Sequence, residues 1–139
     1  MSILRKVGKA GVVVAALLAL HPLAYAVPIH GEISFAGSYS IDNANLNLAT
    51  KFNSFTTVTV GDGPIGDYAG TAGQPVTMQG FTFSPFSSAV VPLWTFTVGG
   101  TTYSFDLDAL SIDFRSTKAL ALSGSGVAHV TGRDDTLGD

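Results

Sequence analysis

Apolar and polar side chains alternate with a period of two from Trp94 to Val98 and again from Thr102 to Asp108, on either side of Gly99-Gly100. Successive side chains of a strand point to opposite faces, so this alternation predicts two strands with one apolar face. The Gly-Gly pair supplies the positive φ angles that a two-residue hairpin turn requires. A turn centred there sets Val98 opposite Thr101, Phe96 opposite Tyr103 and Trp94 opposite Phe105. Thr95, Thr97, Thr102, Ser104, Asp106 and Asp108 fall on the other face. A one-residue slip would set aromatics against threonines, so the pattern itself fixes the register.

The same alternation predicts further strands on both sides of this hairpin. Residues 31–41 form the first, with Ile33, Phe35, Tyr39 and Ile41 inward and Gly37 at an inward position that fits a bulge or a close backbone approach. Residues 42–45 read as a turn, and residues 45–50 as either a short strand or a single helical turn. Residues 52–60 form a strand whose inward face is ambiguous, because Phe55 has the opposite parity to Val58 and Val60. The glycine-rich residues 61–74 form the longest loop, and residues 75–83 a strand whose apolar phase switches at Gly80, where a bulge is expected. Pro85 ends that strand. Beyond Leu107 the apolar phase switches again, to Leu110, Ile112 and Phe114, which predicts a bend or bulge near Asp108-Ala109. A turn at residues 115–118 leads into a final strand over about residues 119–131, and residues 132–139 read as polar turn material. A domain seldom stops on a turn, so one or more C-terminal strands are expected to be missing from the chain. About seven strands with no helix between them predict an all-β fold, an antiparallel β-sandwich or partly open barrel.

The N-terminus reads differently. Arg5, Lys6 and Lys9 precede an apolar run at residues 10–20, and Ala24-Tyr25-Ala26 follows as a small-x-small cleavage site. This is the pattern of a helical secretory signal peptide over residues 1–26, which leaves residues 27–139 as a single β domain with residues 27–31 as an extended, mobile leader. The apolar run is shorter than the roughly 20 residues that span a bilayer. After residue 26, four basic residues stand against ten acidic ones, a formal charge of −6. No basic patch is present, so nucleic acid is not an expected partner, and a membrane is expected only through the signal peptide or an anchor beyond the chain. The chain has no cysteine, which excludes disulfides, thiol catalysis and thiolate metal sites.

Candidate chemistry is sparse. Only His30 and His129 follow the signal segment, His30 in the leader and His129 on the outward parity of the last strand, and no G-x-S-x-G elbow occurs. Two histidines far apart in sequence do not suggest zinc. Asp106 and Asp108 share the polar face of the hairpin, a spacing that could bind calcium or supply the acid and base of a glycosidase. Acids on a solvated strand face also simply keep an edge soluble. Asp113 lies across the expected bend, Asp62 and Asp67 sit in the long loop without the spacing of an EF-hand, and Asp134-Asp135 read as a turn pair. Trp94, Tyr103, Tyr39 and Phe105 have inward parity, which leaves Tyr68 in the loop as the one aromatic expected to be able to face a sugar. No residue is assigned as catalytic, cofactor-binding or metal-binding, and no cofactor is expected.

Four blocks carry a resemblance: residues 31–38 (GEISFAGS), 91–96 (VPLWTF), 103–107 (YSFDL), and the end, residues 122–126 (LSGSG) with 131–136 (TGRDDT). Together they resemble secreted bacterial proteins of the PEP-CTERM class, whose Pro-Glu-Pro motif, apolar helix and basic tail an exosortase processes in Gram-negative bacteria. That C-terminal sorting segment does not occur within these 139 residues. The resemblance implies a Ser/Thr/Gly-rich β domain exported to the cell surface or extracellular matrix, associated with exopolysaccharide and biofilm, and carries no catalytic residue. The expectation is therefore an exported, non-enzymatic surface or matrix protein with extracellular polysaccharide or surface components as partners. The alternative is a carbohydrate-binding module.

Overall fold

The computed structural model describes residues 25–139, so all but the last two positions of the expected signal peptide lie outside the described residues. The strands are β1 (Gly31–Glu32), β2 (Phe35–Ile41), β3 (Lys51–Val60), β4 (Ile65–Gly66), β5 (Thr77–Met78), β6 (Phe81–Thr82), β7 (Val90–Val98), β8 (Thr101–Arg115), β9 (Leu120–Val130) and β10 (Thr136–Gly138). They form a five-stranded sheet in the order β10-β9-β8-β7-β5, a three-stranded sheet β2-β3-β6, and the pair β1-β4. Every pairing between strands is antiparallel, no sheet closes into a barrel, and no helix occurs among the described residues. The two larger sheets meet where Phe35 of β2 packs on Trp94 of β7, ring centroids 4.8 Å apart.

The hairpin has the expected register, with Trp94 opposite Phe105, Phe96 opposite Tyr103 and Val98 opposite Thr101. Gly99 and Gly100 take φ of +57° and +81°, the geometry of a two-residue turn that twists with its strands. Trp94, Phe96 and Tyr103 are buried, with Phe96 and Tyr103 stacked at 4.8 Å and Trp94 and Phe105 at 6.2 Å. Thr97 and Thr102 are exposed and hydrogen-bond each other across the outer face at 2.9 Å, while Thr95 and Ser104 are half-buried.

The ambiguous parity of β3 resolves into two irregularities. Ser40 pairs with Ser54 but Ile41 with Phe52, and Ala36 pairs with Thr59 but Ser38 with Thr56. Each step leaves an extra residue on β3, Asn53 in one and the stretch at Thr57 in the other, where φ reaches +50°. The extra residues let Phe52, Phe55, Val58 and Val60 all follow the inward face of β2. Gly37 makes room for this, since a Cβ there would stand 2.9 Å from the Cα and from a methyl of Val58.

On β8 the phase change is a bulge, as expected. Leu107 pairs with Gly126 and Ala109 with Ser125, so Asp108 is the extra residue. A second shift follows: Ile112 pairs with Leu122 but Phe114 with Ala121. It carries Phe114 off the inward face to 57% exposure and turns Arg115 inward instead. The Arg115 guanidinium donates to the carbonyls of Leu46 and Ala49 and lies 6.0 Å from the Phe83 ring. Residues 45–49 are accordingly a single helical-type turn, closed by the Ala49 N–H on the Asn45 carbonyl, and not a strand.

Four expectations are corrected. Residues 75–83 are not one bulged strand: β5 pairs with β7 and β6 with β3, so the chain crosses between sheets at Gly80, and the phase switch marks that crossing. The leader is not loose, because Ile29 is buried and its N–H donates to Thr136 Oγ1. The loop at residues 61–74 contains β4 and sends Tyr68 into the core. Residues 132–139 are not all turn, since β10 pairs Thr136, Leu137 and Gly138 with Ala128, Val127 and Gly126.

Replacing Gly37 by Ala should cost about 2 kcal/mol in denaturant unfolding, the usual scale of overpacking. Combining it with Val58→Ala should cost less than the sum of the two single changes, because the second removes part of what the first strikes. Additive losses would show that the two residues are not in contact.

Candidate functional site

Most ionisable side chains of the domain lie singly, but three meet on the outer face of the larger sheet. The outward parity of β9 places His129 there, directly opposite Ser104 of β8. Asp106, two residues further along β8, is its diagonal neighbour, and Asp135 approaches from the other side just before β10. His129 Nε2 lies 2.8 Å from Asp106 Oδ2 and Nδ1 lies 2.7 Å from Asp135 Oδ1. The imidazole thus bridges two carboxylates and ties β8, β9 and the approach to β10 into one row.

A neutral imidazole carries one N–H and one lone pair, so it can donate to only one of the two acids. Donating to both requires the imidazolium. Burial alone would lower the His129 pKa, but the hydrogen bonds to Asp135 and Asp106, together with their charges, outweigh it and raise the pKa above its ordinary value. The His129 side chain is 33% exposed, Asp106 21% and Asp135 69%, so solvent screens the Asp135 pairing most. Because both ring nitrogens face carboxylates, neither is available to take a proton from Ser104. The arrangement has the members of a nucleophile triad without its geometry, and acts as a clasp.

Asp67 anchors a second junction. Its Oδ1 accepts from Arg133 at 2.5 Å, its Oδ2 accepts the His30 N–H at 2.8 Å, and its own N–H donates to the His30 carbonyl at 2.7 Å. One carboxylate therefore joins the leader, the long loop and the C-terminal turn. Asp42 acts similarly, accepting from the backbone N–H and hydroxyl of Thr50, which hold its pKa below the usual carboxylate range. Asp113 takes hydroxyl donors from Ser111 and Ser123.

The sequence candidates thus separate. Asp106 turns to His129, whereas Asp108 is the extra residue of the bulge and is exposed. Among the described residues no group of three or more His, Cys, Asp or Glu is placed to hold a metal ion. Tyr68 is 5% exposed and packs 5.8 Å from Tyr103 and 6.4 Å from Trp94, so it faces no ligand from the loop. Burial, with the Asp67 charge and Tyr103 beside it, pushes its hydroxyl pKa up. Asp135 was missed as a partner of His129, since only the unrecognised strand β10 brings it there. The outward parity of both Asp106 and His129 was the available signal for the other half.

The domain is open between β2 and β9. A groove of about 800 Å³ there is walled by Phe35, Leu107, Leu110, Leu122 and Gly124, among others. A second, of about 450 Å³, continues past Leu122 to Tyr39, Ile41, Phe52 and Phe55. The chain matches no family model, no curated protein and no solved structure among those compared.

A raised His129 pKa gives the clasp a direction in pH. The protonated form is favoured on folding, so its contribution is complete below the ordinary imidazole value near 6.5 and is lost as pH rises through the folded value. An NMR titration should place the His129 midpoint above 6.5, and Asp135→Asn should move it down. Amide protection at Val127 and Leu137 should fall across the same interval in the native chain and stay flat with pH in His129→Gln. A midpoint at or below 6.5 would show that the clasp does not hold a proton.

Proposed function

We propose that this chain is an exported, non-enzymatic β-sandwich protein of the cell surface or extracellular matrix. Its acidic groups support that reading. Asp42, Asp67, Asp106, Asp113 and Asp135 are each engaged with another part of the chain, and the strongest cluster holds strands together with no ring nitrogen free for proton transfer. Among the described residues, no buried side-chain nitrogen or oxygen lacks a partner. The charged, small-x-small pattern of residues 1–26 supports export, and the resemblance to the PEP-CTERM class supports a surface or matrix destination with extracellular polysaccharide or surface components as partners.

The carbohydrate-binding alternative had two routes, an outer strand face or the loop at residues 61–74, and the burial of Tyr68 takes away the platform of the loop route. Two outcomes are expected in a Gram-negative host. Mass spectrometry of the exported protein should find Val27 at its N-terminus, and a cytoplasmic protein retaining Met1 would refute export. The exported protein should leave panels of glycosides and esters unhydrolysed; turnover that disappears with Asp106→Asn would refute the non-enzymatic assignment.

A further inference from the structure

Asp62 stands apart from the acids that fasten the domain. Asp42, Asp67, Asp106, Asp113 and Asp135 are each held by donors from another segment, whereas among the described residues no hydrogen bond or ion pair engages the Asp62 carboxyl. Asp62 is exposed and lies between two fixed points. Before it, the Gly61 N–H donates to the Ser34 carbonyl at 2.7 Å; after it, β4 pairs Ile65 with Glu32. Residues 62–64 belong to no strand. The next residue, Gly63, has φ of +74°, and a Cβ built on it would meet nothing within 4 Å. Its N–H donates to no backbone carbonyl among the described residues. A main-chain nitrogen reaches the carboxyl of the residue before it only where the backbone can turn and no side chain blocks the approach, and glycine meets both conditions. The other aspartates differ. Asp67, in the same loop, has both oxygens engaged and is followed by Tyr68, and Asp108, exposed in the β8 bulge, is followed by Ala109.

We propose that Asp62-Gly63 is a self-modifying site, at which the folded chain converts Asp62 to isoaspartate. The Gly63 amide nitrogen attacks Cγ of the Asp62 carboxylic acid. The N–Cγ bond forms, a Cγ–O bond breaks, and the carboxyl OH leaves with the amide hydrogen as water. The product is a cyclic imide, a succinimide. Water then returns at either of its carbonyls. Opening at Cγ restores aspartate. Opening at the main-chain carbonyl leaves the chain running through the β-carbon of residue 62, with the former main-chain carboxyl free. No oxidant, metal or enzyme enters, and atoms balance because the water lost is regained. The open space around Gly63 receives the lengthened link. The inference stands on this loop and its chemistry, and does not rest on the destination proposed above.

The test keeps the purified native chain folded at neutral pH in heavy-oxygen water. An aspartate-specific endoproteinase cuts before aspartate and not before isoaspartate. A fraction that grows with time should therefore resist cleavage between Gly61 and Asp62 and carry one heavy oxygen. The same fraction should accept a methyl group from an isoaspartyl carboxyl methyltransferase, which acts on the freed carboxyl. Asp62→Glu keeps the charge but can close only a larger, slower-forming ring, so it should lose the methyl label while its melting is unchanged. A folded chain that takes no label overturns the proposal, even if the unfolded chain takes it. So does label that falls at Asp67 or Asp108 in place of Asp62, or label that persists in Asp62→Glu.

Discussion

The fold depends on one strand serving two different neighbours. β8 is flanked on both sides, by β7 and by β9, and its residues Tyr103, Ser104, Phe105 and Leu107 pair with both. There its odd-numbered side chains face the core, because they must meet Trp94 and Phe96. Beyond the reach of β7 the inward set becomes Leu110 and Ile112, so the alternation has to break between the two halves. Asp108 is that break. The aromatic stack on the first half, with contacts worth roughly 0.5–1.5 kcal/mol each beyond buried area, fixes where the strand cannot move. The register of β9, the position of His129 and the seat of β10 all follow from it.

Much of this was legible in the alternation of residue types. The hairpin register, the phase change near Asp108 and the length of the last strand follow from period-two patterning, which side-chain burial enforces. The failures share a cause. Leu137 and Tyr68 sit among glycines and polar residues, where local pattern carries no information, and each is placed by a long-range contact. The phase switch at Gly80 was visible, but alternation alone cannot distinguish a bulge from a crossing between sheets. Thr57 at positive φ was invisible for the opposite reason: threonine is a strand former, and only the demand that Phe55 and Val58 share a face forces it there. Half of the His129 clasp was on the page as two residues of matching parity. The other half waited on a three-residue strand.

Charge is scarce in this chain, and its placement compensates for the absence of disulfides. Asp42 ties the turn after β2 to the start of β3, Asp67 ties the long loop to Arg133 and the leader, and Asp106 and Asp135 tie three strands through one imidazole. The Asp67–Arg133 contact joins segments that no ladder pairs with one another, whereas the His129 junction reinforces strands already in one sheet. The partners of Asp67 lie 37 and 66 residues away in sequence, so this one carboxylate closes two long stretches of chain.

The seating of the leader bears on the proposed cleavage after Ala26. Val27 accepts a hydrogen bond from the Asp134 N–H, Pro28 bridges to the same residue, and Ile29 is buried with the core aromatics. A peptidase that cuts after Ala26 needs several residues on both sides of the bond in extended, accessible form. In the finished domain the residue following that bond is already held by the other end of the chain. On the proposed route the N-terminus that cleavage leaves behind is thus tethered to Asp134 through the Val27 carbonyl, while the side chains of Tyr25 and Val27 stay exposed.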